Sequence, residues 1–172
     1  MENEGKHSKT VEKYNVRANV WQNLPDLVVP RAQASGCIMG DFLYVFGGIG
    51  GQSTIERLNL KLNMVRTGDK FEKLEVKLPN DAFDIGVIPQ LNQNELLLIG
   101  GFSENKCINQ NIKFSAIQSL ADDGSQPNTE YSIEEVMQDE STKIEMKPDF
   151  FSSSSMMVID PENAEVITIF GA

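Results

Sequence analysis

Backbone N–H groups in a glycine-rich turn can cradle a phosphate, so Gly47-Gly-Ile-Gly-Gly-Gln-Ser-Thr54 is the first place to look for chemistry. Its spacing excludes that use. Only three residues separate Gly47 from Gly51, Gln52 stands in the slot of a P-loop lysine, and Ser53 stands where a dinucleotide fingerprint has its third glycine. The stretch reads as a turn between strands. His7, the single histidine, lies in a polar leader, which removes most nucleophilic and imidazole-metal arrangements. Cys37 and Cys107 stand apart with neither zinc spacing nor a disulfide framework, and Cys37, directly after Gly36, reads as a small buried hydrophobe. Asp81 with Asp84, and Asp122 with Asp123, are the neighbouring carboxylates that acid/base work would need. Both pairs sit in loop-like surroundings where acids are normally solvated. No catalytic residue, cofactor or metal is therefore expected.

Charge narrows the partners. A net charge of -10 repels nucleic acid and anionic membranes at long range. Seven of those ten charges come from residues 121–145, where eight acids face the single base Lys143. Residues 121–142 read as an acidic insertion that is solvated, or that docks a basic partner or carries phosphate on Ser125, Thr129, Ser132, Ser141 or Thr142. Deleting Asp122 to Glu140 is on this reading harmless to the fold. No apolar run approaches the roughly 18 to 20 residues that span a bilayer, and Met1 to Thr10 is too polar for a secretory segment. The chain has no Asn-x-Ser/Thr acceptor. The expectation is a soluble, cytoplasmic protein with no membrane insertion.

The elements that would hold these residues recur along the chain. Asp41-Phe-Leu-Tyr-Val-Phe-Gly-Gly48 returns as Asn94-Glu-Leu-Leu-Leu-Ile-Gly-Gly101 and as Glu165-Val-Ile-Thr-Ile-Phe-Gly-Ala172. Val11-Glu-Lys-Tyr-Asn-Val16 is echoed by Ile55-Glu-Arg-Leu-Asn-Leu60 and more faintly by Asn111-Ile-Lys-Phe-Ser-Ala116, and Trp21-Gln-Asn-Leu24 by Phe71-Glu-Lys-Leu74. Short period-2 alternation signals half-buried strands, and only Tyr131 to Gln138 hints at a helical period. Strands are predicted over 10–16, 19–24, 32–39, 42–46, 55–60, 70–76, 82–88, 95–99, 108–114, 143–147, 153–159 and 166–170. A polar leader (1–9) precedes repeats of roughly 10–48, 49–101 and 102–172.

This ordered recurrence resembles the kelch repeats, in which a glycine pair closes a strand and a tyrosine, six residues and a tryptophan follow. Tyr14 and Trp21 have that spacing, Arg31 and Gly36-Cys37 lie where the next inner strand should begin, and Gly47-Gly48 closes the unit. In the second unit Leu58 and Phe71 replace the aromatic pair, and the third has Phe114 with no evident tryptophan counterpart. The resemblance implies an all-β, kelch-type β-propeller of four-stranded antiparallel blades, about three of them present. It also implies a non-catalytic module that binds proteins, as ubiquitin-ligase receptors, cytoskeletal factors and scaffolds of this type do. Its contacts would use the loops after the glycine pairs (Gln52, Ser53, Asn105, Lys106) and those before the inner strands (Arg31, Asp81). The alternatives are a sugar-active enzyme, although the histidines of a copper-bearing propeller are missing, or a structural assembly component.

Closure is the remaining constraint. Propellers need roughly four to eight blades to cover every face. The count here gives two full blades, an outer half-blade at 10–24 and an inner half-blade at 153–170, so a longer chain, a second copy or another protein is expected to complete the ring.

Overall fold

A strand sandwiched between two neighbours is apolar on both sides and loses the usual alternation, which is how Phe42-Leu-Tyr-Val-Phe46 reads. The computed structural model, which describes residues 7–60, 69–90, 94–104, 106–108, 110–119, 128–136, 156–160 and 165–169, places that run accordingly. The described residues form β-strands without helices. β1 (Val11–Asn15) and β2 (Val20–Leu24) are followed by β3 (Ser35–Met39), β4 (Phe42–Phe46), β5 (Thr54–Asn59) and β6 (Glu72–Lys77). Next come β7 (Gly86–Pro89), β8 (Glu95–Ile99), the short pair β9 (Phe102–Ser103) and β10 (Lys106–Cys107), β11 (Asn111–Ser119) and β12 (Asn128–Glu135). β13 (Met156–Asp160) and β14 (Glu165–Ile169) end the series.

Three antiparallel four-stranded sheets result. The first has the order β13-β14-β1-β2, the second β3-β4-β5-β6, and the third β7-β8-β11-β12. Their inner strands lie in a row, β13 beside β3 and β3 beside β7. Leu43 and Val45 of β4 point into a cluster with Val11, Leu24, Leu27, Leu58 and Phe71, between the first and second sheets. Tyr44 and Phe46 point the other way, into a cluster with Leu74, Leu96, Leu98, Ile112 and Phe114, between the second and third. Phe46 and Phe114 meet edge to face at 5.3 Å, and Tyr44 meets Phe114 in the same manner at 5.3 Å. Edge-to-face ring pairs of this kind add about 0.5 to 1.5 kcal/mol to simple burial.

Two expectations are corrected. The half-blades at the ends of the sequence do not wait for another chain: β1 pairs with β14 from Val11↔Ile169 to Asn15↔Glu165, and the four strands make one sheet. Pairing the two ends of the described chain satisfies backbone groups that two open edges would have left unpaired.

The outer strand of the third sheet is β12, inside the acidic segment, and not 143–147, which lies outside the described residues. β12 pairs with β11 across eight positions, Ile112↔Glu135 to Ser119↔Asn128. Of the stretch whose pattern hinted at a helical period, Tyr131 to Glu135 are thus strand, and residues 137–138 lie outside the described residues. Alternation decides it, because Tyr131 and Ile133 pack against the second sheet's cluster while Glu130 and Glu134 stay exposed. Tyr131 stacks on Phe114 at 5.9 Å and lies 5.5 Å under the Arg57 guanidinium, which also sits 4.5 Å over Phe42 and bonds Glu72 at 3.1 Å. Removing 122–140 would take this strand away, so we expect the deletion to lower the thermal midpoint by at least 5 °C, consistent with loss of more than about 1 kcal/mol. An unchanged melt by circular dichroism would show that β12 contributes nothing to the fold.

Candidate functional site

The loops at one end of the sheets are stitched together by backbone. Ala32 and Ile49 exchange hydrogen bonds (2.9 and 2.8 Å), Gly48 donates to the Ala82 carbonyl (2.8 Å), Asp84 donates to the Gln33 carbonyl (3.1 Å), and Phe83 and Phe102 exchange bonds of 3.1 and 2.9 Å. Both units repeat one design. Ala32↔Ile49 in the first is Phe83↔Phe102 in the second, and Gln33 and Asp84 both take positive φ, at 51° and 52°. Their side chains meet as well, Gln33 Nε2 donating to Asp84 Oδ2 at 3.3 Å. Burial raises the Asp84 carboxyl above the ordinary aspartate value. Gln52 and Glu104 also take positive φ, 51° and 49°, so four strained non-glycine residues gather at this end. Strain of this sort costs on the order of 1 kcal/mol each and collects where a surface is shaped for use.

Beneath the loops lies an ion pair with both partners fully buried, Arg31 and Glu56. Arg31 Nη2 donates to Glu56 Oε1 and to Thr54 Oγ1 (3.0 Å), and Nη1 donates to the Gly47 carbonyl (2.6 Å). The Glu56 carboxylate also accepts the backbone N–H of Val28 (2.7 Å) and of Val29 (3.0 Å). Burial pulls the guanidinium below its ordinary value and Glu56 opposes that pull, since the carboxylate favours the cation it bonds. The glycine-rich loop wraps this guanidinium. A Cβ at Gly51 would fall 2.7 Å from Arg31 Nη1, and one at Gly47 would strike the Ala82 carbonyl at a φ of 58°. The loop's own amides at Gly47, Gly51, Gln52 and Thr54 donate to carbonyls within the loop. Those amides are occupied, which is the physical reason no anion cradle forms.

The residues expected on a contact surface separate into three groups. Gln52, Asp81 and Lys106 are exposed, on the first glycine loop, before β7 and in β10 respectively, and Ser53 is half-buried, its carbonyl accepting from Leu78 N–H at 2.9 Å. Asn105 lies outside the described residues. Arg31 is corrected: with no accessible surface it holds the loops from below and cannot touch a partner. Sequence reading missed the apolar members of this end. Val28 (45% exposed) and Ile49 (40%) stand out from it, and Phe83 stacks on Phe102 at 5.8 Å. Their signal was an apolar residue directly after each glycine pair, Ile49 and Phe102.

Residues 1–6 lie outside the described region, but His7 to Lys9 run beside the loop before β3. Ser8 accepts from Arg31 N–H (3.0 Å), Lys9 from Leu27 N–H (2.9 Å), and the His7 ring abuts Gly50. Burial pushes the Cys37 thiol up, which suits a packing role, whereas Cys107 is exposed. Among the described residues no three His, Cys, Asp or Glu side chains gather as a metal site, and no helix is long and apolar enough to cross a membrane.

Comparison with known proteins adds little beyond this geometry. No protein-family model matches the chain, and no curated protein matches it. Among solved structures the chain is similar to YjhT, at 13% identity and a TM-score of 0.45 over 92% of this chain. It spans about half, 47%, of that structure's length. A likeness this loose says nothing of what the chain does.

The buried pair makes its own prediction. Arg31→Ala strands a buried carboxylate and should cost about 3 to 5 kcal/mol in urea unfolding. By register, Arg31 and Glu56 correspond to Ala82 and Ile112 of the second unit, so Arg31→Ala with Glu56→Ile together should cost less than Arg31→Ala alone. A double variant worse than the single one would contradict the pairing.

Proposed function

We propose that the chain is a kelch-like propeller segment that binds a protein partner through the stitched loop end. The observation that carries this reading is the surface itself. Exposed Val28 and Ile49 and the stacked Phe83 and Phe102 share the loop end with the polar residues Gln52, Asp81 and Lys106, on loops that the Arg31–Glu56 pair holds from beneath in the first unit and that backbone bonds and ring stacking hold in the second. An apolar centre with a polar rim on a pre-ordered backbone is the make-up of a protein-binding patch, because little entropy remains to be lost on docking. The glycine pairs, the four-stranded antiparallel sheets and their stacking order support the propeller part of the reading.

The test is a comparative pull-down with quantitative mass spectrometry. Ile49→Asp combined with Gln52→Ala and Lys106→Ala alters only the outside of the loops, so the thermal melt should stay within about 2 °C of the parent, as for ordinary surface changes. Partners captured by the parent chain should fall by tenfold or more. Retention of every partner by a folded triple variant would place binding elsewhere.

A further inference from the structure

Each internal junction joins two defined faces, and the described residues carry one more copy of each. The leading face of the second sheet holds Leu58 and Phe71, 1% and 2% exposed beneath the first sheet. Their counterparts on the first sheet are Tyr14 and Trp21, paired across β1 and β2, stacked at 4.9 Å, with Trp21 52% exposed. The trailing face of the second sheet holds Tyr44 and Phe46, buried against the third. Its counterpart on the third sheet carries Leu97 and Ile99, with Ile88 47% and Ile117 57% exposed. β8 is thus written like β4, apolar on both sides, as a strand covered on both faces.

The polar detail repeats too. Arg57 on the second sheet's trailing face bonds Glu72 of its own sheet and lies over the Tyr131 ring of the next. Lys113 holds the matching place on the third sheet and bonds Glu134 of its own sheet at 2.7 Å. Trp21 would offer Lys113 the aromatic surface that Tyr131 offers Arg57, a contact worth about 0.5 to 2 kcal/mol.

We infer that the occupant of both faces is a second copy of this chain, in a two-fold pair that sets the trailing face of each copy on the leading face of the other and closes a ring of six sheets. This rests on the propeller reading above. The described residues of one copy supply both halves of the junction, so a two-fold pair uses both at once, which is how a head-to-tail contact closes. The size suffices: a four-stranded face of about 19 by 17 Å covers roughly 300 Å², and the four faces of one pair bury roughly 1,200 Å², at the lower end of specific interfaces.

Sedimentation equilibrium on the full chain, from about 1 to 100 µM, brackets the affinity expected of such an interface. The mass should rise from 19.1 kDa toward twice that value, with the emission of Trp21, the single tryptophan, shifting to the blue in step. Trp21→Asp and Ile117→Asp, both at exposed strand positions, should each stay at the mass of one chain with an unchanged circular dichroism spectrum. An equimolar mixture of the two should recover a two-chain species, because one intact junction forms between them. A one-chain mass throughout with constant Trp21 emission, an open polymer, or a mixture that fails to pair would overturn the inference. Partner capture through Ile49 and Gln52 is read separately, so a one-chain species that still binds its partner overturns the pairing alone, and a two-chain species that binds none overturns the loop reading alone.

Discussion

A guanidinium and a carboxylate withdrawn completely from water are tolerable only if nearly every donor and acceptor is used, and Arg31 and Glu56 meet that demand by recruiting two segments. Glu56 takes the amides of Val28 and Val29 from the connection between β2 and β3, and Arg31 takes the Gly47 carbonyl and Thr54 Oγ1 from the glycine-rich loop. The connection between β2 and β3, the glycine-rich loop and β5 are therefore tied together by one pair.

The second unit solves the same problem without charge. Ala82 and Ile112 stand at the corresponding register positions and line, with Leu78, Ile85, Leu98 and Ile108, a cavity of about 10 Å³. Its loop is longer and is held by backbone and aromatic contacts, with β9 and β10 as a small hairpin and Phe102 on Phe83. One backbone plan therefore carries two chemistries at its loop end, one fixed from within by an ion pair and one fixed from outside by stacked rings.

Much of this was legible in residue order, and the failures have physical causes. The glycine pairs and apolar runs located β4 and β8 to the residue, and Val11 and Trp21 located β1 and β2, because period-2 burial writes itself into sequence. Arg31 was misplaced because it lies in the loop before an inner strand, where the kelch resemblance puts contact residues. Its signal lay elsewhere: Glu56 occupies the same side of β5 as buried Leu58, and an acid on a buried side calls for a cation. β12 was missed because its acids mask an alternation that only Tyr131 and Ile133 reveal. The union of β1 with β14 joins the two ends of the sequence, and no local pattern encodes a contact of that range.

The claim that the buried pair organises the loop end is tested most directly by native-state amide hydrogen exchange on the full chain. The amides of Val28 and Val29, which donate to Glu56, and of Ala32, Gly48 and Ile49, which cross the stitched loops, should exchange only through the opening that exposes the strand amides of β4 and β5. Opening free energies equal to those of Leu43 and Val45 to within about 0.5 kcal/mol would support this account, since residues of one cooperative unit open together. Exchange of the Val28 and Val29 amides at the rate of freely solvated loop would contradict it.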